Sequence, residues 1–192
     1  KKLLMITAVV GVAVAANAVT IPDFTFALGG SSGDVTKPIT QTWNVGQTLT
    51  LNLDVEATAT PTSAGWGMGF GFRDADGDAF GFMYGRGWGD ASTIYGNVGY
   101  DPDATIGSTF NPALAGATRM AMTTVPASSF CDAAGETVHF TFTAEKVTAT
   151  NYNMSLSASG VGFTSTVSRA DFDVPDVGTS LDNFLARGSE TG

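Results

Sequence analysis

The sequence predicts an all-β protein, a two-sheet antiparallel β-sandwich. Short segments alternate apolar with polar or small residues at a period of two, which is typical of strands with one buried face. Turn-forming Gly, Asp, Asn and Ser residues separate these segments. Long stretches with a 3.6-residue apolar period are absent after Ala18. About ten short strands without helical partners indicate a sandwich or a barrel rather than an α/β fold.

The first eighteen residues have the pattern of a secretory signal peptide. Two lysines are followed by an uncharged apolar run over residues 3–16, and Ala16-Asn17-Ala18 is an A-x-A cleavage site. The run is shorter than the roughly 20 residues that a transmembrane helix needs. We therefore expect residues 1–18 to be removed and residues 19–192 to form one domain, at the cell surface or outside the cell.

The charge balance restricts the partners. The chain has nine Lys and Arg against eighteen Asp and Glu, and removal of the two N-terminal lysines would change the net charge from −9 to −11. Phosphate backbones are repelled by such an acidic surface, so nucleic acid is excluded as a partner class. Cys131 is the only cysteine, so the chain forms no internal disulfide.

The strands are justified one by one by alternation between turn signals. In chain order, the predicted strands are Phe24–Leu28, Ile39–Val45, Leu49–Glu56, the two arms of a hairpin over Gly65–Gly89, Ile94–Tyr100, Arg119–Val125, Thr137–Glu145, Val147–Ala158, Gly162–Val167 and Ser180–Arg187. Residues 101–117 and 171–178 read as connections, because they carry prolines, acidic residues and small residues.

The hairpin over Gly65–Gly89 has an unusual composition. Aromatic and other bulky residues occupy one face, while the other face is almost entirely glycine. Asp76-Gly77 is a strong turn dipeptide. Interior glycines weaken a strand, so this many require a reason. Either another part of the backbone packs closely on the bare face, or a flat ligand approaches it.

Several patches resemble a known family. Gly67–Asp74, a tight turn and Phe80–Tyr84 resemble the central hairpin of concanavalin-like and laminin-G-like jelly rolls, and Asn151–Leu156 and Ser180–Phe184 resemble later strands of those domains. The patches are also similar to exported bacterial surface proteins with a C-terminal PEP-type sorting tail, which the residues up to Gly192 do not contain. The resemblance implies a jelly roll that binds sugars on a concave face or at rim loops.

Asp74, Asp76 and Asp78 are the metal-ligand candidates. Their side chains offer the hard oxygen atoms that Ca²⁺ prefers. An EF-hand loop would place Gly sixth and Glu twelfth, whereas Gly77 is fourth and Gly85 twelfth. A hairpin turn explains the same residues. The resemblance to laminin-G-like domains implies calcium at the rim, so Ca²⁺ is the one cofactor that the sequence leaves open.

Catalytic motifs are weak, so the sequence predicts a protein that is not an enzyme. Asp54 and Glu56 share a strand face, but no third carboxylate follows in the Glu-x-Asp-x-x-Glu pattern of jelly-roll glucanases. His139 is the only histidine and falls on the polar side of its strand. No Gly-x-Ser-x-Gly elbow is present.

Carbohydrate binding is the predicted function. Aromatic side chains stack on the apolar faces of sugar rings, and the candidates are Trp43, Trp66, Trp88, Tyr84, Tyr95 and Tyr100. The segment after Arg86 is preferred as the site, with Trp88 and Tyr95 for stacking and Asp90 and Asn97 for hydrogen bonds to hydroxyl groups of a polysaccharide or glycan. The alternative is a structural surface or matrix protein that self-associates through strand edges, without a small ligand.

Overall fold

The chain is an all-β protein whose strands form two packed antiparallel sheets. The structure is a computed structural model, which describes residues 10–11, 18–19, 33–56, 65–86, 94–101, 120–121, 134–161, 163–173 and 178–191. Within these ranges the backbone forms strands and turns, without a helix. The predicted fold class, an antiparallel β-sandwich, is therefore confirmed.

The described strands number twelve. In order they are β1 Val10–Gly11, β2 Ala18–Val19, β3 Gly33–Thr42, β4 Thr48–Glu56, β5 Gly65–Asp74, β6 Ala79–Arg86, β7 Ile94–Asp101, β8 Met120–Ala121, β9 Thr137–Lys146, β10 Asn151–Gly160, β11 Phe163–Asp173 and β12 Ser180–Thr191.

The strands divide into two six-stranded sheets. Sheet I has the order β1-β4-β9-β10-β11, and β2 also pairs with β4, in parallel. Sheet II has the order β3-β12-β5-β6-β7-β8. The last described strand, β12, thus lies between β3 and β5. Sequence neighbours β9, β10 and β11 form a meander, because short turns suffice to join antiparallel strands.

Aromatic side chains between the sheets form the core. Phe70 and Phe82 of sheet II contact Phe140 of sheet I, with ring centroids 6.3 and 5.5 Å apart. Along β4 and β9, buried residues alternate strictly with partly or fully exposed ones, as expected for an antiparallel sheet with one wet face. The alternation read from the sequence therefore identifies the core faces of these two strands.

The predicted end of β11 is wrong. β11 extends to Asp173, although residues 171–178 were expected to form a connection. Asp171 adopts a positive φ of 50°, and its N–H donates to Asn153 Oδ1 at 3.1 Å. This hydrogen bond allows β11 to continue through Asp171. The irregularity lies opposite a register shift in β10, between Tyr152 and Met154.

The last strand, β12, departs from strict alternation of buried and exposed residues. A register shift between Leu181 and Asn183 interrupts the pairing with both neighbouring strands. Leu181 and Phe184 are consequently both fully buried, because an extra residue reverses which face the following side chains occupy.

The bare face of the hairpin is closely packed rather than open. At Gly81 a Cβ atom would overlap the backbone carbonyl of Phe70 on the neighbouring strand. Two further residues on this outer face of sheet II are buried: Ala79 is 0% and Leu185 8% exposed. Of the two explanations for the glycines, close backbone packing is the one that fits these residues.

The N-terminal and short elements lie at the margins of the sheets. Val10 and Gly11 pair with β4 at Leu53 and Asn52. The predicted strand at residues 24–28 lies outside the described residues. Among the described residues, no helix is long and apolar enough to cross a membrane. Removal of residues 1–18 as a signal peptide stays a prediction.

Candidate functional site

The outer face of sheet I carries an ordered set of polar side chains, here called the polar face. Antiparallel register aligns β4, β9, β10 and β11 into rows that cross all four strands. Three rows define this face: Thr50, Thr143, Ser155 and Ser168; Asn52, Thr141, Ser157 and Thr166; and Asp54, His139, Ser159 and Thr164. All twelve residues are partly or fully exposed.

The first two rows, here called the hydroxyl rows, contain seven hydroxyl groups and one amide, and no charge. Hydrogen bonds link their members across the strands. The Thr141 hydroxyl donates to Asn52 Oδ1 at 3.0 Å, and the hydroxyls of Ser157 and Thr166 are 2.8 Å apart. These bonds fix the rotamers, while each hydroxyl keeps capacity for a further partner.

The third row, here called the His139 row, is the charged end of the polar face. Asp54 and His139 are direct cross-strand partners, and the Nδ1–H of His139 donates to Asp54 Oδ1 at 2.6 Å. The two side chains are 50% and 59% exposed for Asp54 and His139 respectively. The pair is therefore screened by water and contributes little to stability, but it holds the imidazole in a defined orientation.

A shallow depression of about 460 Å³ adjoins the His139 row. Its lining includes Glu136, Thr137, His139, Ser159, Val161 and Thr164. Val161 is 66% exposed, so the depression offers an apolar contact beside hydroxyl, imidazole and carboxylate groups. Such a mixture suits a small polar ligand with a hydrocarbon surface.

Two of the four predicted ligand-binding residues belong to the described part of the chain. Trp88 and Asp90 lie outside the described residues. Tyr95 and Asn97 belong to β7, where they pair with Gly85 and Met83. The site proposed from the sequence for the segment after Arg86 therefore stays a prediction.

Two of the predicted sugar-stacking aromatics lie in the core. Trp43 and Tyr84 are both fully buried. Trp43 stacks on Phe80 with centroids 4.7 Å apart, and Tyr84 meets Phe140 edge to face at 4.9 Å. Neither ring is accessible to a sugar. A single aromatic residue in the sequence does not show whether its side chain is buried in the core of a sandwich or exposed at its rim.

Asp74 has a structural role in the turn between β5 and β6. Its Oδ1 accepts hydrogen bonds from the backbone N–H groups of Asp76, Gly77 and Asp78, each at 3.0 Å. Its Oδ2 accepts the N–H of Gly178 at 2.7 Å. Gly77 has a φ of 106°, which glycine adopts without strain.

This arrangement does not fit calcium at Asp74. Four N–H groups already point at its two oxygens, and a cation there would face the same positive dipoles. Among the described residues, no group of three or more His, Cys, Asp or Glu side chains is arranged to hold a metal ion. Asp76 is exposed and Asp78 is buried. Calcium binding by the three aspartates stays a prediction without geometric support.

A buried cation completes this end of the core. Lys146 is 2% exposed, and its Nζ donates to the carbonyl oxygen of Gly178 at 3.1 Å. The ammonium lies 5.4 Å from the ring centroid of Trp43 and 5.5 Å from that of Tyr152, within cation–π range. Asp74 thus binds the N–H of Gly178, and Lys146 binds its C=O.

Burial changes the protonation behaviour of this cluster. Desolvation lowers the pKa of Lys146, and the nearby charge of Asp74 opposes that shift. Desolvation, together with the charge of Asp74, raises the pKa of Tyr152 to about 12. The cluster is closed to solvent, so its chemistry serves the fold rather than a ligand.

The His139 row was not predicted from the sequence. Asp54 and His139 are 85 residues apart, and Ser159 was not considered beside them. Only the pairing of β4 with β9 and of β9 with β10 brings the three together. The three residues could have been identified by assigning the polar positions of each strand to one face and then aligning the strands in the correct register.

Comparisons with known proteins identify no family for this chain. No family model matches the chain, and no curated protein shows significant sequence similarity to it. The structure of Scytalido-glutamic peptidase with a peptide-based transition-state analogue is 12% identical, with a TM-score of 0.40 over 84% of this chain. The chain spans 65% of that peptidase's length.

A second structural neighbour is a lectin. The lectin UEA-II complexed with galactose is 12% identical, with a TM-score of 0.27, over 82% of this chain and 85% of the lectin. The resemblance to PEP-sorted surface proteins gains no support from a family model.

Proposed function

We propose that this chain is an exported carbohydrate-binding protein and that a polysaccharide or glycan binds across the polar face of sheet I. The observation that carries the proposal is the pair of hydroxyl rows, which are exposed, uncharged and linked by hydrogen bonds across adjacent strands. A glycan is an array of hydroxyl groups that both donate and accept, and Ser and Thr offer the same two roles.

The preformed hydrogen bonds reduce the entropic cost of binding. Thr143 and Ser155 hold one another at 2.7 Å, so little rotamer freedom remains to be lost when a ligand binds. Each contact is weak, because it replaces a hydrogen bond to water. Affinity therefore increases with the number of sugar units that contact the rows together, which favours a polymer over a monosaccharide.

Titration calorimetry with soluble polysaccharides and their short oligomers tests the proposal. We expect saturable heat with polymers and at least tenfold weaker binding for Thr141→Val and Thr166→Val together. Trp88→Ala is the comparison variant, because it tests the site that the sequence predicts. Binding lost in Trp88→Ala and retained in the double variant would move the site to the segment after Arg86.

Calcium is a separate arm of the same experiment. The protein is titrated with Ca²⁺ alone and then with glycan in the presence of a chelator. A calcium-dependent lectin would lose its glycan affinity in the chelator, and Asp76→Asn would reproduce that loss. Full affinity in the chelator would remove calcium from the mechanism. No heat with any polymer would overturn the binding proposal.

A structural role is the second candidate, and the outer edge of β11 favours it. No described strand pairs with that edge, and residues 163–168 carry neither charge nor proline, the usual devices that protect an edge. Sedimentation velocity over a range of concentrations tests assembly. Concentration-dependent oligomers that Thr166→Pro abolishes would support it, whereas a monomer at all concentrations would exclude it.

A further inference from the structure

We propose that the His139 row is a nucleophilic site, in which the Ser159 hydroxyl attacks the carbonyl carbon of small acyl esters. His139 acts as general base and Asp54 as a positioning residue. This activity goes beyond carbohydrate binding and does not depend on it. It was invisible in the sequence, because the three residues come from three separate strands.

The register places the groups in the required order. β9 lies between β4 and β10, so His139 has Asp54 as its partner on one side and Ser159 on the other. Direct cross-strand partners on one face have Cβ atoms about 5 Å apart. Carboxylate, imidazole and hydroxyl thus follow one another across the sheet, as in the triad of serine hydrolases.

The hydrogen bond to Asp54 fixes the imidazole for this role. Nδ1 donates to Asp54 Oδ1 at 2.6 Å, which leaves Nε2 without a proton in the neutral ring. The two ring nitrogens point in nearly opposite directions. Nε2 can accept a proton, and the cross-strand partner of His139 on the side opposite β4 is Ser159.

Access and chemistry both fit a small ester. Ser159 and His139 line the depression of about 460 Å³, and the exposed side chain of Val161 supplies an apolar contact for an acyl chain or an alcohol group. The neighbouring charge at Glu136 disfavours anionic substrates. A neutral acetyl or similar short-chain ester is therefore the class of substrate.

The reaction balances without a further reactant besides water. Ser159 Oγ forms a bond to the carbonyl carbon while its proton passes to His139 Nε2. The carbon–oxygen bond to the alcohol then breaks, and the departing alkoxide takes the proton from Nε2. Water then attacks the acyl carbon while Nε2 accepts its proton, the bond from that carbon to Ser159 Oγ breaks, and Nε2 returns the proton to Oγ. The products are the carboxylic acid and the regenerated hydroxyl.

A covalent probe tests the nucleophile directly. The full chain is incubated with a fluorophosphonate, which phosphonylates an activated serine with loss of fluoride, and the modified residue is located by fragment mass spectrometry. We expect label on Ser159. Hydrolysis of p-nitrophenyl acetate is measured in parallel, and we expect Ser159→Ala and His139→Gln each to lower its rate about 10²-fold.

Matched variants separate reactivity from folding. Ser180→Ala removes an exposed hydroxyl from β12 in the other sheet and should leave labelling of Ser159 unchanged. Asp54→Asn should slow labelling while Asp54→Glu retains part of it, and both variants should keep the urea unfolding midpoint of wild type. Absence of label on Ser159, or labelling that persists in His139→Gln, would overturn the proposal.

Discussion

The outer faces of the two sheets differ in side-chain size and in exposure. On sheet I the rows from β4 to β11 carry hydroxyl, amide, imidazole and carboxylate groups, all partly or fully exposed. On sheet II, Gly81, Ala79 and Leu185 are buried. In the sequence, the non-apolar positions of both sheets alternate with apolar ones, so both outer faces would be expected to contact solvent. The comparison shows that positions occupied by glycine and alanine can be buried, whereas the positions with polar side chains remain accessible.

The largest expected effect comes from filling the covered face. Gly81→Ala places a methyl group against the backbone carbonyl of Phe70, which cannot move without breaking the pairing of β5 with β6. We expect a loss of about 3 kcal/mol or more in the free energy of unfolding, measured by urea denaturation.

Gly46→Ala is the matched control for Gly81. Gly46 has a φ of 83°, and nothing lies within 4 Å of a Cβ built there. The substitution carries the conformational cost alone, about 1 kcal/mol. Equal losses at the two positions would show that Gly81 owes its presence to backbone conformation and not to close packing.

The second prediction concerns the turn that joins the two strands of the covered face. Asp74→Ala leaves four backbone N–H groups without their acceptor and Lys146 without its neighbouring charge. We expect a loss of about 2–3 kcal/mol. Asp76→Ala, in the same turn but exposed, should change stability by less than about 0.5 kcal/mol. A large effect at Asp76 and a small one at Asp74 would contradict the structural role.

The third prediction is a loss of stability in alkali through Tyr152. Its pKa is about 12 in the folded protein against 10.0 in the unfolded chain, so between these values the unfolded chain releases a proton that the folded protein keeps. The contribution of Tyr152 to the free energy of unfolding is fully present below pH 10 and is lost as the pH rises toward 12. For this fully buried residue the loss is about 2 kcal/mol.

Tyr152→Phe isolates this contribution. Lys146 acts with the opposite sign, because its pKa is lowered on folding and the unfolded chain holds the proton longer. The contribution of Lys146 to the pH dependence is present in wild type and in Tyr152→Phe, so it cancels when the two are compared. Urea midpoints from pH 8 to 11.5 should fall more steeply for wild type than for Tyr152→Phe, and parallel curves would refute the assignment.

The smallest expected effect is on the polar face. Asp54→Asn and Thr141→Val are substitutions of half-exposed or exposed side chains, so each should cost less than about 1 kcal/mol in the free energy of unfolding. Chemical denaturation measures this, with Leu51→Ala on the buried side of β4 as the contrasting control at about 3 kcal/mol. A polar face as sensitive as the core would mean that its residues serve stability rather than binding.

The fold was predictable because strand alternation reports burial locally. Leu51 and Phe142 face each other in the core and were placed in strands from the sequence. The register shift at Leu181 and the continuation of β11 through Asp171 were not predictable. Both depend on pairing with strands that are distant in sequence, which local periodicity does not contain.

The candidate site was less predictable than the fold. An aromatic residue such as Trp43 gives the same signal in a core as at a rim, and here it is fully buried. The aspartates of the turn were recognised, but the role of Asp74 depends on the amide of Gly178, 104 residues away. Asp54, His139 and Ser159 become neighbours only through sheet pairing. Sites assembled from several strands require the topology first.

The position of β12 has a consequence for the order in which the protein folds. This strand occupies the middle of sheet II, between β3 and β5, yet it follows every other described strand in the chain. A nascent chain that lacks residues 180–191 holds two open strand edges where the finished sheet has none. Such a chain exposes unpaired backbone groups on β3 and β5 until residues 180–191 insert between them, so sheet II cannot be completed before this segment is synthesised.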